Sequence, residues 1–422
     1  MIRRWLEALE QFAIDVILER RYGKRASLLR WFLLGLSGIY RWLVQTRIAL
    51  YRDRYLRPRS LGCTVVSVGN LSVGGTGKTP VVEMLARALN QGGRKVTILS
   101  RGYKSRPKPL PVRLFEKFTG KQGAFAPRIV SDGRSLLLDS RMAGDEPFML
   151  ANNLRGIPVL VDKDRVKSGL YAIENFGTDT LLLDDGFQYL RLKHRIEIVL
   201  IDRQAPFGNG YMLPRGTLRE PPRNLLRASV IFITKSTAEP NDEIIDEIRK
   251  YNRTADIIEC AHRPVHLRHL VTGEIKPLSF LQQLRIASIC GIAVPESFEN
   301  ALSQLGAQLE TTRSYADHHR FSKREIESFI RHCSRRDVAA ILTTEKDAVR
   351  FPRILEPEVP IYFMRVEIDI IRGHEAWKRL LRRICEPESI YLNQPETSTP
   401  TTPKRDNKCI TWYIYCRVLT PG

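Results

Sequence analysis

The chain has 422 residues, of which 43% are hydrophobic and 27% charged; this excludes a disordered or collagen-like polymer and leaves room for two domains. Lys and Arg total 67 against 46 Asp and Glu, a net charge of +21, so a partner carrying negative charge is expected: nucleic acid, anionic lipid or a phosphorylated substrate. Seven cysteines with no C-x-x-C pair exclude a disulfide scaffold and fit a reducing cytosol.

The positive charge is concentrated near the N-terminus, where residues 20–59 hold eleven Lys or Arg and one acid, Asp53. Within this arm the run from Trp31 to Tyr40 is uncharged but only ten residues long. A spanning helix needs about 20 residues, and Arg30, Arg41 and Arg47 would be buried in hydrocarbon if the region crossed a bilayer. A secretory leader is disfavoured because the run follows Glu7, Glu10, Asp15 and Glu19. The pattern predicts an amphipathic helix lying on an anionic membrane surface, with Trp and Tyr at the edges of its apolar run. The alternative is a packed helix with a solvated basic face.

From Thr64 a β-branched run ends at Gly69-Asn70. Gly74-Gly75-Thr76-Gly77-Lys78-Thr79 follows, and then an apolar stripe at Val81, Val82, Leu85, Ala88 and Leu89. Strand, glycine-rich loop, Lys-Thr and helix predict a P-loop. The backbone N–H groups of Gly74 to Gly77 and the helix N-terminus cradle phosphates, Lys78 reaches the β and γ phosphates, and Thr79 can ligate Mg²⁺. The first glycine of the usual pattern would fall at Ser72, so the loop is a G-G-x-G-K-T variant. After the strand Val96–Leu99, Arg101 is a candidate phosphate contact. Asp145, before Glu146-Pro147, reads either as a turn or cap acid or as a catalytic carboxylate. The apolar run Leu181–Leu183 delivers Asp184 and Asp185 to a strand end, where either can hold Mg²⁺ directly or through water.

Strands at Val65–Val68, Val96–Leu99, Pro158–Val161, Thr180–Leu183, Ile198–Ile201 and Val230–Ile233 alternate with helical stretches. The predicted fold is α/β: a mainly parallel sheet covered by helices on both faces. Two extended runs around Thr272-Gly273 suggest a hairpin-like connector, and a second βα series follows, with Asp317-His318-His319 in a loop. The expected organisation is an arm at 1–60, a P-loop core at 61–255, a connector at 256–277, a smaller α/β lobe at 278–385 and a disordered tail at 386–422, rich in Ser, Thr and Pro from Thr397 to Lys408.

In order along the chain come Val68-Gly69-Asn70 with the glycine loop through Pro80, Ser100-Arg101-Gly102-Tyr103, Ala143-Gly144-Asp145-Glu146-Pro147 and Asp184-Asp185-Gly186-Phe187-Gln188. Phe207-Gly208-Asn209-Gly210, Leu218-Arg219-Glu220-Pro221, Asp317-His318 and Thr344-Glu345-Lys346-Asp347-Ala348 complete the series. This series resembles the tetraacyldisaccharide 4′-kinases of lipid A biosynthesis over about residues 30–380. The resemblance implies ATP- and Mg²⁺-dependent phosphorylation of the 4′-hydroxyl of a tetraacyl glucosamine disaccharide 1-phosphate, at the cytoplasmic face of the bacterial inner membrane. It further implies Asp145 as general base, His318 as its partner, and Arg219 and Glu220 near the substrate. Two departures stand out: Tyr189 where the family usually has His, and Arg215-Gly216-Thr217 where it reads Ala-Gly-Pro. No nucleic-acid partner and no obligate protein partner is expected. A membrane-associated switch NTPase acting on a protein partner is the rival reading, and a nucleic-acid-binding ATPase would also account for the charge.

Overall fold

The computed structural model describes residues 12–17, 19–102, 105 and 126–386. The expected tail beyond Glu386, Tyr103 of the second motif and the first eleven residues of the arm lie outside the described residues.

Thirteen strands form one sheet in the order β11-β10-β12-β13-β8-β7-β6-β1-β5-β2-β4-β3, with β9 paired to β8. Its first half holds β1 (Thr64–Asn70), β2 (Val96–Ser100), β4 (Val159–Val161), β5 (Thr180–Asp184), β6 (Ile196–Asp202) and β7 (Val230–Thr234), all parallel. The short β3 (Arg128–Ser131) closes that edge antiparallel to β4. β1, β2, β5 and β7 are buried along their whole length. This explains why they read as continuous Val, Ile and Leu runs: helices cover both faces, so neither face needs polar residues.

The second half holds β10 (Arg285–Cys290), β11 (Gln308–Ser314) and β12 (Ala340–Thr344), parallel to one another. Two long strands, β8 (Asp256–His269) and β13 (Ile361–Arg372), join the halves as an antiparallel ribbon. β9 (Ile275–Pro277) pairs back on β8 across Thr272-Gly273. β7 runs parallel to the first residues of β8, and β12 runs parallel to the first residues of β13. Because β8 and β13 are antiparallel, the two sets of strands run toward each other. Their C-terminal ends, the edges where open α/β sheets carry ligands, face one another over the middle of the ribbon.

The segments expected as separate lobes therefore share one sheet. Helix His374–Cys385, at the end of the 278–385 segment, packs through Leu380 and Ile384 into the same core as the P-loop helix Lys78–Gln91 and helix Asp145–Asn153. The second half has its own core around Phe329, Ile330 and Ile341. Arg365 of β13 ties the halves together by pairing with Glu83 of the P-loop helix and, at 2.7 Å, with Glu345.

The arm is a 29-residue helix, Lys24–Arg52. Ser37 faces inward; its hydroxyl donates to the Met212 carbonyl at 2.8 Å and accepts from the Arg215 N–H at 3.0 Å. The opposite face presents Leu28, Trp31, Phe32, Ile39, Trp42 and Leu43, with Trp31 73% and Trp42 66% exposed. Among the described residues no helix is long and apolar enough to cross a membrane.

Candidate active site

β1 delivers Asn70 to the first edge, where its buried amide organises the glycine loop. Nδ2 donates to the Ser72 carbonyl at 2.6 Å and to the Thr76 hydroxyl at 3.1 Å, and Oδ1 accepts from Lys78 Nζ at 3.2 Å. Thr234 at the end of β7 donates to the Thr76 carbonyl at 2.9 Å, holding the loop from the other side. Gly74 and Gly75 have open space where a side chain would project, so backbone can approach a phosphate closely there. Gly77 is left-handed, with φ of 77°, and caps the helix that begins with Lys78 and Thr79. A Cβ on Gly77 would lie 2.6 Å from the ring of His262. Gly77→Ala is expected to weaken ATP binding at least about tenfold, through a displaced loop and a strained φ of order 1–2 kcal/mol. Calorimetric titration with ATP checks this, and wild-type affinity would contradict it.

β5 ends on the acid pair. Asp184 is 2% exposed; Ser100 donates to Oδ2 at 2.9 Å, and the buried Oδ1 has no partner. Burial, then the nearby charges of Glu146 and Asp185, push its carboxyl up to about 7. Asp185 behaves in the opposite way. Burial pushes its pKa up, but Lys78 and Arg219 outweigh burial and hold it below the usual carboxylate range. Arg219 Nη1 donates to both Asp185 oxygens at 2.9 and 2.8 Å, and Lys78 Nζ stands 3.7 Å from Oδ1. Beneath the pair, buried Arg165 donates to the carbonyls of Asp184 at 3.1 Å and Asp185 at 3.4 Å. Nothing in the local sequence marks Arg165 except its place after the helix cap Asp164.

The pair suits a divalent cation, because a buried carboxylate oxygen without a partner is the kind of atom a cation satisfies. Among the described residues no three His, Cys, Asp or Glu side chains converge as a full metal cage. A cation here would complete its shell with Thr79, nucleotide phosphate and water, as Mg²⁺ commonly does.

Asp145 opens helix Asp145–Asn153 and is 6% exposed. The structure brings it to His318, with Oδ2 3.5 Å from Nδ1. Two arginines that the motif reading overlooked complete the group. Arg320 Nη2 donates to Asp145 Oδ1 at 3.0 Å and Arg350 Nε to Oδ2 at 2.8 Å. Burial alone would raise the Asp145 pKa, yet His318 and the two arginines lower it, so the carboxylate is ionised at neutral pH. Both arginines sit close to motifs of the series, Arg320 two residues after His318 and Arg350 two after Ala348, which is the signal that could have found them.

The substrate-contact candidates divide. Arg219 lies at the edge beside Asp185 and Gln188. Glu220 turns inward instead: it is 2% exposed and accepts from Asn224 Nδ2 at 2.7 Å and Arg227 Nη2 at 2.8 Å, fixing the turn Pro222–Arg227. In this arrangement the carboxylate supports that turn. Arg101 is exposed just past β2, near enough to Arg165 to add to the lowering of that guanidinium's pKa, which burial dominates. The Tyr189 departure is accommodated without strain. Its hydroxyl accepts from the Arg165 N–H at 3.0 Å and donates to Asp164 at 3.2 Å, steadying the helix cap. The arm reaches this edge too: Arg47 donates to the Gln188 carbonyl at 3.3 Å, and Glu220 and Arg219 influence the Tyr40 phenol, whose pKa burial raises.

A glycine-rich phosphate loop, a carboxylate pair at the neighbouring strand end and an ionised Asp in reach of a His define a P-loop phosphotransferase. The profile of the Tetraacyldisaccharide-1-P 4′-kinase family matches residues 29–385. A Tetraacyldisaccharide 4′-kinase of Halothermothrix orenii is 33% identical over 390 residues, covering 88% of this chain and 97% of the relative. One from Syntrophus aciditrophicus is 38% identical over 343 residues, covering 79% and 87%. The crystal structure of LpxK from Aquifex aeolicus in complex with ATP superposes with a TM-score of 0.66 at 28% identity, covering 85% of this chain and all of that one. The chain belongs to the tetraacyldisaccharide-1-P 4′-kinase family.

Proposed function

We propose that the chain transfers the γ-phosphate of ATP to the 4′-hydroxyl of a tetraacyl glucosamine disaccharide 1-phosphate, taking the acceptor from the cytoplasmic surface of the inner membrane. The observation that carries this is the pairing of Asp145 and His318 from opposite halves of the sheet, within a family of that activity. Gly74 to Thr79 bind the triphosphate, and Lys78 stabilises charge on the γ-phosphate. Asp184, Asp185 and Thr79 would hold Mg²⁺, which supplies further neutralisation of phosphate charge. The 4′-oxygen attacks phosphorus, the bond to the β–γ bridging oxygen breaks, ADP leaves, and the hydroxyl proton passes to Asp145. Arg219, at the edge beside the arm, suits a phosphate group of the acceptor.

Labelled γ-phosphate should appear in the lipid when the chain, ATP and acceptor are combined in mixed micelles. ATP hydrolysis that proceeds at full rate without acceptor would instead favour the switch NTPase. The exposed apolar face of the arm, with its basic flanks, supports membrane attachment. Trp31→Glu with Trp42→Glu is expected to reduce sedimentation with anionic vesicles at least about tenfold while leaving ATP affinity unchanged, since burying a large apolar side chain is worth about 1.5–3 kcal/mol. Undiminished vesicle binding would dismiss the arm as the anchor.

A further inference from the structure

A triphosphate lying on the glycine loop has a direction. Lys78 and the acid pair at the end of β5 mark its terminal end, on the β5 side of β1, where they neutralise the β and γ phosphates. The nucleoside then leaves on the other side, over the ends of β6, β7 and β8. β6 and β7 stop there, at Asp202 and Thr234, whereas β8 continues beyond Glu259, its last partner on β7, and stands beside the loop as a wall. His262 lies shortly beyond Glu259 on that wall. It is half-buried, and its Cε1–Nε2 edge lies against Gly77, where an added Cβ would come within 2.6 Å of both atoms.

The charged neighbours of the ring are Lys235 and Asp202. Lys235 takes a φ of +56° as the chain leaves β7, and its Nζ donates to Asp202 Oδ2 at 2.5 Å. The segment after β7 is tied down from two strands: Arg203 Nε donates to Asn241 Oδ1 at 2.8 Å, Asn241 Nδ2 donates to Glu259 Oε2 at 2.5 Å, and Arg372 Nη1 donates to the same oxygen at 2.7 Å. These walls are set before a ligand arrives, which limits the ordering cost of binding. Burial, then Lys235, lower the His262 pKa to about 4 and outweigh Asp202, so the ring is neutral at pH 7. A neutral imidazole is no counter-charge for phosphate, but it offers a flat face and ring nitrogens to an uncharged ring system.

We propose that His262 and Lys235 form the seat for the nucleoside of ATP, with the imidazole packing against it, Lys235 donating to its polar groups and Asp202 holding Lys235 in place. The inference deepens the kinase reading above and rests on its assignment of ATP to the glycine loop.

The test compares calorimetric titrations of the full chain with ATP and with inorganic tripolyphosphate, which has the phosphates and no nucleoside, at equal Mg²⁺ and salt. His262→Ala is expected to weaken ATP binding about tenfold, within the scale of an aromatic ring against a base, and to leave tripolyphosphate binding within about threefold. KM for ATP should rise by a similar factor with kcat within about threefold, because the nucleoside is held alike in the ground state and the transition state. Equal losses for both ligands would make His262 a prop for the phosphate loop and overturn the proposal, and so would unchanged ATP affinity. Lys235→Met is expected to show the same split between the two ligands, and it decides the matter if His262→Ala does not fold. Failure of the kinase reading is separate: wild type would then bind ATP with this split intact while labelling no lipid.

Discussion

Lys78→Met is expected to lower kcat for phosphoryl transfer by about 10³-fold or more, the scale found when a preorganised charge is removed from a transition state. Lys78 Nζ is held between Asn70 Oδ1 at 3.2 Å and Asp185 Oδ1 at 3.7 Å, at the first turn of the P-loop helix. Such placement costs no reorganisation at the moment of reaction. Methionine keeps the length of the stem and packs similarly, so the thermal midpoint should move little while the charge is lost. Single-turnover transfer of labelled γ-phosphate, run beside a melting curve, measures both. A loss of less than about tenfold in a folded variant would remove Lys78 from the reaction. Asp185 gives a second readout: without Lys78 one of the two main cations opposing its burial is gone, and its pKa should rise.

Asp184→Asn is expected to abolish transfer to a similar extent and, without nucleotide or divalent cation, to stabilise the protein at pH 8. The sign follows from linkage. The folded chain holds the Asp184 carboxyl at about 7 against an ordinary value of 3.8, so between those values the native state keeps a proton that the unfolded chain has released. Stability from this group is present at low pH and is lost as pH rises through about 7. Above that, a wholly buried anion with one unpartnered oxygen burdens the fold, and asparagine removes the charge. The gain is expected to be about 1–3 kcal/mol, since the new amide N–H group can remain partly unsatisfied. Denaturant unfolding at pH 5 and pH 8 should show the advantage of the Asp184→Asn variant shrinking toward the acidic end. Equal stability of the two proteins at pH 8 would refute it. The site thus trades stability for a carboxylate available to a cation.

The first edge was legible because its signals are local. A β-branched run, a glycine loop, Lys-Thr and an apolar helical stripe determine where phosphate sits, and Leu181–Leu183 carries Asp184 to the neighbouring strand end whatever the rest of the chain does. The resemblance added Asp145 and His318, which spacing alone could not pair across more than 170 residues of chain. What stayed hidden depends on the long ribbon. β8 is buried only at Ile258 to Cys260 and at Leu267, so it reads as a hairpin arm, and nothing local reveals that it pairs with a strand a hundred residues later. Arg320 and Arg350 acquire their meaning only from that pairing. Glu220 shows another limit: nothing beside it in the sequence reveals that Asn224 and Arg227, folded back by a short turn, draw it inside.

The ribbon also sets a length. β7 stops pairing with β8 at Glu259, and the last β12–β13 pair, Thr344 with Met364, lies opposite Leu267. The eight steps from Glu259 to Leu267 span roughly 26 Å at about 3.3 Å per residue. β8 and β13 together are therefore a ruler separating the triphosphate edge from the edge that carries His318. Two residues added to each strand would keep every side chain on its present face and widen the gap by about 7 Å, whereas one added residue would reverse the facing of His262 relative to Leu267. Such a widening would also part Asp145 from His318, which stand 3.5 Å apart across that gap.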